Sequence, residues 1–270
     1  MENKMLSAAL VGGILLFSAC EKEPQVNSQE SQHGSMDVKM TDAPANFDAL
    51  LLAVSKAEVY QEGKGWIALN ANGEAFNVLE LNNGKTKKIA SSTTLEAGVY
   101  SRLRLEFKNE VYLTTMASIG LFGTQAAGTF ALNWQGSTSV EIEIDEQLAA
   151  GGHGEVVIDF DAAKSIVQDA GNHYIRPVIR YVKDFDTGMD GQIEGSAQAI
   201  VIVDNGELEA SAMVATNGAF KIQGLKNGSY EVTIDYLAEV NGEMEYKQKK
   251  INGVMVADGQ ITHLGMISLQ

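Results

Sequence analysis

Between residues 99 and 108 the chain alternates with period two. Val99, Ser101, Leu103, Leu105 and Phe107 take one side of an extended backbone, and Tyr100, Arg102, Arg104, Glu106 and Lys108 take the other. Only a strand sends successive side chains to opposite faces, so this run specifies a half-buried β-strand with its odd-numbered residues turned to a core. Ser139 to Asp145 repeats the pattern with Val140, Ile142 and Ile144 inward, and Tyr230 to Tyr236 does so with Val232 and Ile234 inward. Turn signals separate these runs, among them Asn72-Gly73, Asn83-Gly84, Asn205-Gly206, Asn217-Gly218, Asn241-Gly242 and Asn252-Gly253. Asparagine and glycine tolerate the positive φ that two-residue hairpin turns require. The expected fold is all-β, made of short antiparallel strands joined by tight turns. Two segments fit more than one period: Asp48 to Tyr60 is read as strand, and Asp161 to Gln168 as one or two helical turns capped by Asp161.

The amino terminus is of a different kind. Met1-Glu2-Asn3-Lys4 precedes an apolar stretch from Met5 to Phe17, then Ser18-Ala19-Cys20 and an abrupt change to Glu21-Lys22-Glu23-Pro24. The stretch suits the apolar part of an export signal and is too short for the ~20 residues that a helix needs to cross a hydrocarbon core. Small residues directly before the only cysteine resemble the bacterial lipoprotein box, although Phe17 stands where that box usually has leucine. The resemblance implies that residues 1–19 are removed and that Cys20 is lipidated, with palmitate among the acyl chains. Two or three chains, at about 0.8 kcal/mol per buried methylene, anchor a protein that one chain would hold only marginally. With that thiol consumed no disulfide can form, so the domains must be stable through core packing.

Residues 20–35 hold one aliphatic side chain, Val26, and are read as a flexible tether after the lipidated cysteine. The charged residues behind Cys20 resemble surface-export signals of Bacteroidetes lipoproteins. The remaining length suits two domains, read as 36–187 and 188–270 with the boundary near Thr187-Gly188. The balance of 20 Lys and Arg against 35 Asp and Glu gives a net charge of −15, which repels phosphates. Nucleic acid is therefore not an expected partner.

Three segments carry a further resemblance: Lys39-Met40-Thr41-Asp42-Ala43-Pro44, Asn77 to Lys85 (NVLELNNGK), and Val157 to Val167 (VIDFDAAKSIV). With Leu95 to Tyr100 and Tyr174 to Ile179 in the expected order, they resemble the family called domain of unknown function 4382 over about residues 36 to 184. Thr41 to Pro44 is expected to form a turn in which Asp42 bonds backbone amides, and Pro177 to sit on a strand edge or bulge. In the second region Thr216 to Val232 resembles the central hairpin of a carboxypeptidase-regulatory-like domain. That likeness implies a prealbumin-type β-sandwich with Phe220, Leu225, Tyr230 and Val232 between its sheets, opening on a strand from Gln192 to Gln198. The whole is thus expected to be two β-sandwich domains.

Catalytic patterns are thin. His33 falls in the tether reading, and His153, His173 and His263 lack spaced partners for zinc. Asp159 and Asp161 are the candidate metal or acid-base pair, since a strand puts them on one face; the blander reading has Asp161 as a helix cap and Asp159 in solvent. No cofactor is expected. The favoured function is a non-catalytic cell-envelope lipoprotein, monomeric and held to the outer membrane by its lipid, facing the periplasm or the cell surface and binding a protein or glycan. A fimbrillin-like structural subunit is the second class, although arginine-directed processing would find its first site only at Arg102, inside a strand. An enzyme with an unrecognised site is the third.

Overall fold

In the computed structural model, residues 32–269 are described apart from 44, 46, 116–117, 121–122, 126, 170–171 and 196–198. The export signal, Cys20 and most of the tether lie outside the described residues. The fold is all-β, with several sheets around two hydrophobic cores. Residues 31–270 nevertheless form one compact unit.

The first core lies beneath an eight-stranded sheet. Its strands run in the order Ser139–Leu148, Gly98–Phe107, Val54–Gln61, Gly65–Ala71, Lys87–Glu96, His33–Ala43, His153–Asp161 and Ile179–Val182. Met36, Val38 and Met40 face inward with Ile158 and Phe160, and they meet Leu50, Leu52 and Leu113 from a four-stranded sheet. The eight-stranded sheet curls until its two outer strands touch. Tyr181 Oη donates to the Asp145 carbonyl (3.3 Å) and Lys183 pairs with Asp145. Curling follows from strand twist and leaves little open edge.

Several local expectations change in three dimensions. The sequence suggested antiparallel pairing throughout, yet His33–Ala43 and His153–Asp161 run parallel. Tight turns specify only antiparallel neighbours, so a pairing between strands more than a hundred residues apart leaves no local signal. His33, Gly34 and Ser35, assigned to the tether, belong to the first strand: Ser35 N–H donates to the Gly152 carbonyl (2.9 Å). The helix expected over Asp161 to Gln168 is one turn, Ala162–Ser165, followed directly by the Ile166–Asp169 strand. Pro177 lies between two strands rather than in one. Asn252-Gly253 makes a bulge inside the Glu243–Val256 strand, not a turn between strands.

The strand that opened the reading is itself bulged. Leu103, Leu105 and Phe107 are buried as expected, but Val99 is 48% exposed and Tyr100 is fully buried. Register slips against both neighbours near Ser101, so the alternation changes phase there. Tyr100 then donates from Oη to the Glu96 carbonyl (2.7 Å). The second core repeats the device: Tyr230 is buried and donates to the Lys226 carbonyl (3.0 Å). Both tyrosines end the pattern Leu-x-x-Gly-x-Tyr, with Gly98 at φ 149° and Gly228 at φ 146°. A tyrosine that bonds backward to the entry of its own strand fixes a sandwich corner.

The second core lies between a three-stranded sheet (Ala219–Gln223, Gly188–Glu194, Ile261–Ser268) and a four-stranded sheet (Glu209–Met213, Ala199–Asp204, Gly228–Val240, Glu243–Val256). Phe220, Leu225, Tyr230 and Val232 fill it, as anticipated. Its first strand is Gly188–Glu194, earlier than the Gln192–Gln198 expected, and it runs parallel to Ile261–Ser268.

Candidate functional site

The three segments that carried the family likeness meet at one strand end. Thr41 Oγ1 lies 2.9 Å from the Leu81 carbonyl and 2.9 Å from that of Lys85, so its single proton is shared between the two ends of the turn that follows a short 3-10 helix. That helix, Val78–Leu81, is capped by Asn77, whose side chain accepts from Leu79 N–H. Its neighbour Asp42 points the other way and accepts from Ala162 N–H (3.3 Å) at the start of the single helical turn. Thr41 and Asp42 therefore do not form a turn of their own. They clamp two distant segments.

Asp42 is buried, and burial together with the nearby Asp159 carboxylate pushes its pKa up to about 9, against the opposing pull of the Ala162 amide. It is a neutral acid at pH 7. Asp159, expected in solvent, is 6% exposed, and Arg180 grips it with Nε and Nη2 each 2.9 Å from Oδ2. Asp161 caps Lys164 N–H (2.9 Å) and pairs with Lys164 Nζ (3.0 Å). The strand does bring Asp159 and Asp161 to one small cleft of about 100 Å³, but Arg180 and Lys164 line it too. Arg180 and Lys164 supply the positive charge beside the two carboxylates. Among the described residues no group of three His, Cys, Asp or Glu side chains is arranged to hold a metal.

Arg180 also reaches the second body, where Nη1 donates to the Gly224 carbonyl (3.4 Å). Asn83, at φ 54°, accepts from Lys221 N–H (3.1 Å). Beside it Gly84 has φ 79°, and a Cβ there would lie 2.0 Å from Gln223 Oε1. The Asn82 to Lys85 turn thus needs glycine for its backbone and for its close approach to the opposite hairpin. This turn is the seam between the two cores.

Along the seam runs an open groove of about 700 Å³. Asn82, Asn83 and Lys85 line it from the first body; Asn217, Lys221 and His263 are among those lining it from the second. His263 Nδ1 lies 2.7 Å from Asp190 Oδ1, and Met266, 61% exposed, also lines the groove. Of the other histidines, His153 bonds Ser35 Oγ (2.8 Å) and His173 stacks on Phe130 at 4.6 Å. Sequence reasoning missed the seam because its residues come from turns whose partners lie far along the chain. The Asn-Gly pair marked the turn but not what it touches. Outside the seam, Arg102 stacks on Tyr60 and Arg104 on Trp66, each 3.9 Å from the ring centre.

The three segments and the clamps made by Thr41 and Asp42 lie within residues 33–177, the span that matches the family described as "Domain of unknown function (DUF4382)". That is more than half of the chain, and the protein belongs to this family. No curated protein matches it. Among solved structures, the Bacillus anthracis TIE protein is 13% identical with a TM-score of 0.23, covering 91% of this chain and 41% of its own. A candidate cell adhesion protein from Bacteroides fragilis NCTC 9343 is 10% identical with a TM-score of 0.25, covering 88% of this chain and 94% of its own. This chain spans less than half the length of the first.

Proposed function

We infer that the protein is a non-catalytic cell-envelope lipoprotein, anchored to the outer membrane through Cys20, whose seam groove binds a glycan or a protein segment. The observation that carries this reading is the groove itself: about 700 Å³, open, and built from both bodies. Its chemistry suits a hydroxyl-rich and acidic ligand. Amide side chains such as Asn82 and Asn217 can serve sugar hydroxyls in both directions, and the exposed Met266 thioether offers an apolar face. Lys85 and Lys221 supply local positive charge on a chain of net charge −15, which favours a uronic or sialic acid, or an acidic loop, over a neutral sugar. The second body resembles a prealbumin-type binding module, and the seam holds it fixed against the first, so a ligand would meet a preformed surface.

The test uses the full chain carrying Cys20→Ser on an array of acidic and neutral glycans, beside the same chain with Lys85→Ala and Lys221→Ala. Binding of at least one acidic glycan, weakened about tenfold by the double substitution, is the expected result. An array on which the parent chain binds nothing, or binds equally well without the two lysines, overturns the groove. Labelled palmitate entering the wild-type protein but not Cys20→Ser is the expected companion result for the anchor.

A further inference from the structure

The hairpin of Gly228–Val240 and Glu243–Val256 outruns the sandwich that it belongs to. Residues 241 to 246 are all exposed, with Met244 at 60% and Tyr246 at 56%. Glu243–Val256 ends the order of its sheet, so among the described residues no strand pairs with its outer edge. A two-residue turn, Asn241 at φ 54° and Gly242 at φ 85°, sets Val240 opposite Glu243. In such a hairpin the residues flanking the turn exchange backbone bonds. Odd-numbered residues from 243 to 249 therefore bond inward, and even-numbered ones aim their N–H and C=O groups outward.

The side chains along the odd face read Glu243, Glu245, Lys247, Lys249. Reversed end to end, that order is its own complement. A two-fold axis through Tyr246 would put Glu243 opposite Lys249 and Glu245 opposite Lys247 of a second copy. In the same register the outward backbone groups of Met244, Tyr246 and Gln248 meet their counterparts. The charged pairs then fall at the non-hydrogen-bonded positions, where strands bring side chains closest. Moving the axis to Glu245 or to Lys247 would instead set that residue against its own copy, a like-charged pair at the centre, and leave one opposite-charge pairing to each side of the axis. Edge lysines usually keep strands apart because a copy carries the same sign at the same place. Here the order of charge removes that repulsion, and the Asn252-Gly253 bulge limits how far the pairing can run.

The geometry points to a second copy of this chain as the occupant of the edge, in an antiparallel two-fold dimer that joins two four-stranded sheets into one of eight. This departs from the monomer expected from sequence. In the single chain Lys247 Nζ rests 2.5 Å from Glu245 Oε2 and Lys249 Nζ 2.5 Å from the Ser268 carbonyl. On pairing, both lysines would exchange these contacts for glutamates across the axis.

Sedimentation of the full chain carrying Cys20→Ser across a concentration series should show a reversible dimer. Lys247→Glu with Lys249→Glu should weaken association about tenfold or more, Glu243→Lys with Glu245→Lys should do the same, and mixing the two variants should restore a heterodimer. In the same cysteine-free background Tyr246→Cys should form an intermolecular disulfide, because residues on the axis have Cα atoms about 5.5 Å apart, whereas Met244→Cys should not. A parent chain monomeric throughout the series overturns the dimer. So does association unaffected by both charge reversals, or a mixture that stays monomeric.

Discussion

Asp42 shows how one residue can be legible as a type and opaque as a role. Its place in the Lys39 to Pro44 segment suggested local amide bonding, and it does accept an amide proton, from Ala162 across the sheet. The consequence is electrostatic. Its folded pKa of about 9 lies above an unfolded value near ~4, so folding takes up a proton between those pH values. The stabilising contribution is complete below about pH 4, declines as pH rises, and is gone above about pH 9. Urea unfolding at pH 5 and pH 8 should show the wild type losing stability against Asp42→Asn, by at most about 1.4 kcal/mol per pH unit. A constant difference between the two proteins would place the ionisation of Asp42 elsewhere. Asp159 carries the opposite lesson, because burial beside Arg180 turned a residue read as solvated into one half of an ion pair.

Among the elements, strands were legible wherever one face is buried and the backbone is regular. Val140 aside, the inward residues of Ser139–Leu148 and Gly228–Val240 are buried as their period required. Gly98–Phe107 kept its period only after Ser101, since a bulge moves every side chain beyond it to the other face. The signal that could have located this slip is the repeated Leu-x-x-Gly-x-Tyr, in which the tyrosine hydroxyl needs a carbonyl and so cannot stand outside. Tyr100→Phe and Tyr230→Phe should each lower unfolding free energy by about 1 to 2 kcal/mol, measured by chemical denaturation, because a part-buried carbonyl loses its donor. A change within experimental error for both would remove the corner from the account of stability. The helix over Asp161 to Gln168 stopped after one turn for a related reason. Its apolar residues beyond Ser165 pair as strand with Asn172–Ile175, and Asp161 capping supports only the first turn.

At the scale of the molecule, both cores lie in one compact unit, and specific side-chain contacts cross the seam, among them Asn83 to Lys221, Arg180 to Gly224 and Lys164 to Glu209. Calorimetry of the folded region should show one cooperative transition. Arg180→Ala removes a seam bond and takes the guanidinium from a buried carboxylate, and because Arg180 itself is a third exposed it should cost about 2 to 3 kcal/mol and split the transition in two. A single unshifted transition in that variant would mean that other contacts join the bodies. From its sequence alone the chain determined that it is all-β, where its most regular strands lie, and which side chains of those strands face a core. Alternation and turn chemistry are local properties, set by a residue and its near neighbours. Only the tertiary structure decided the parallel pairing of His33–Ala43 with His153–Asp161, the curling of the large sheet, the clamps made by Thr41 and Asp42, and the seam with its groove. Each of these depends on contacts between segments far apart in the chain, and no period or dipeptide encodes which distant partner a strand end or a turn will meet.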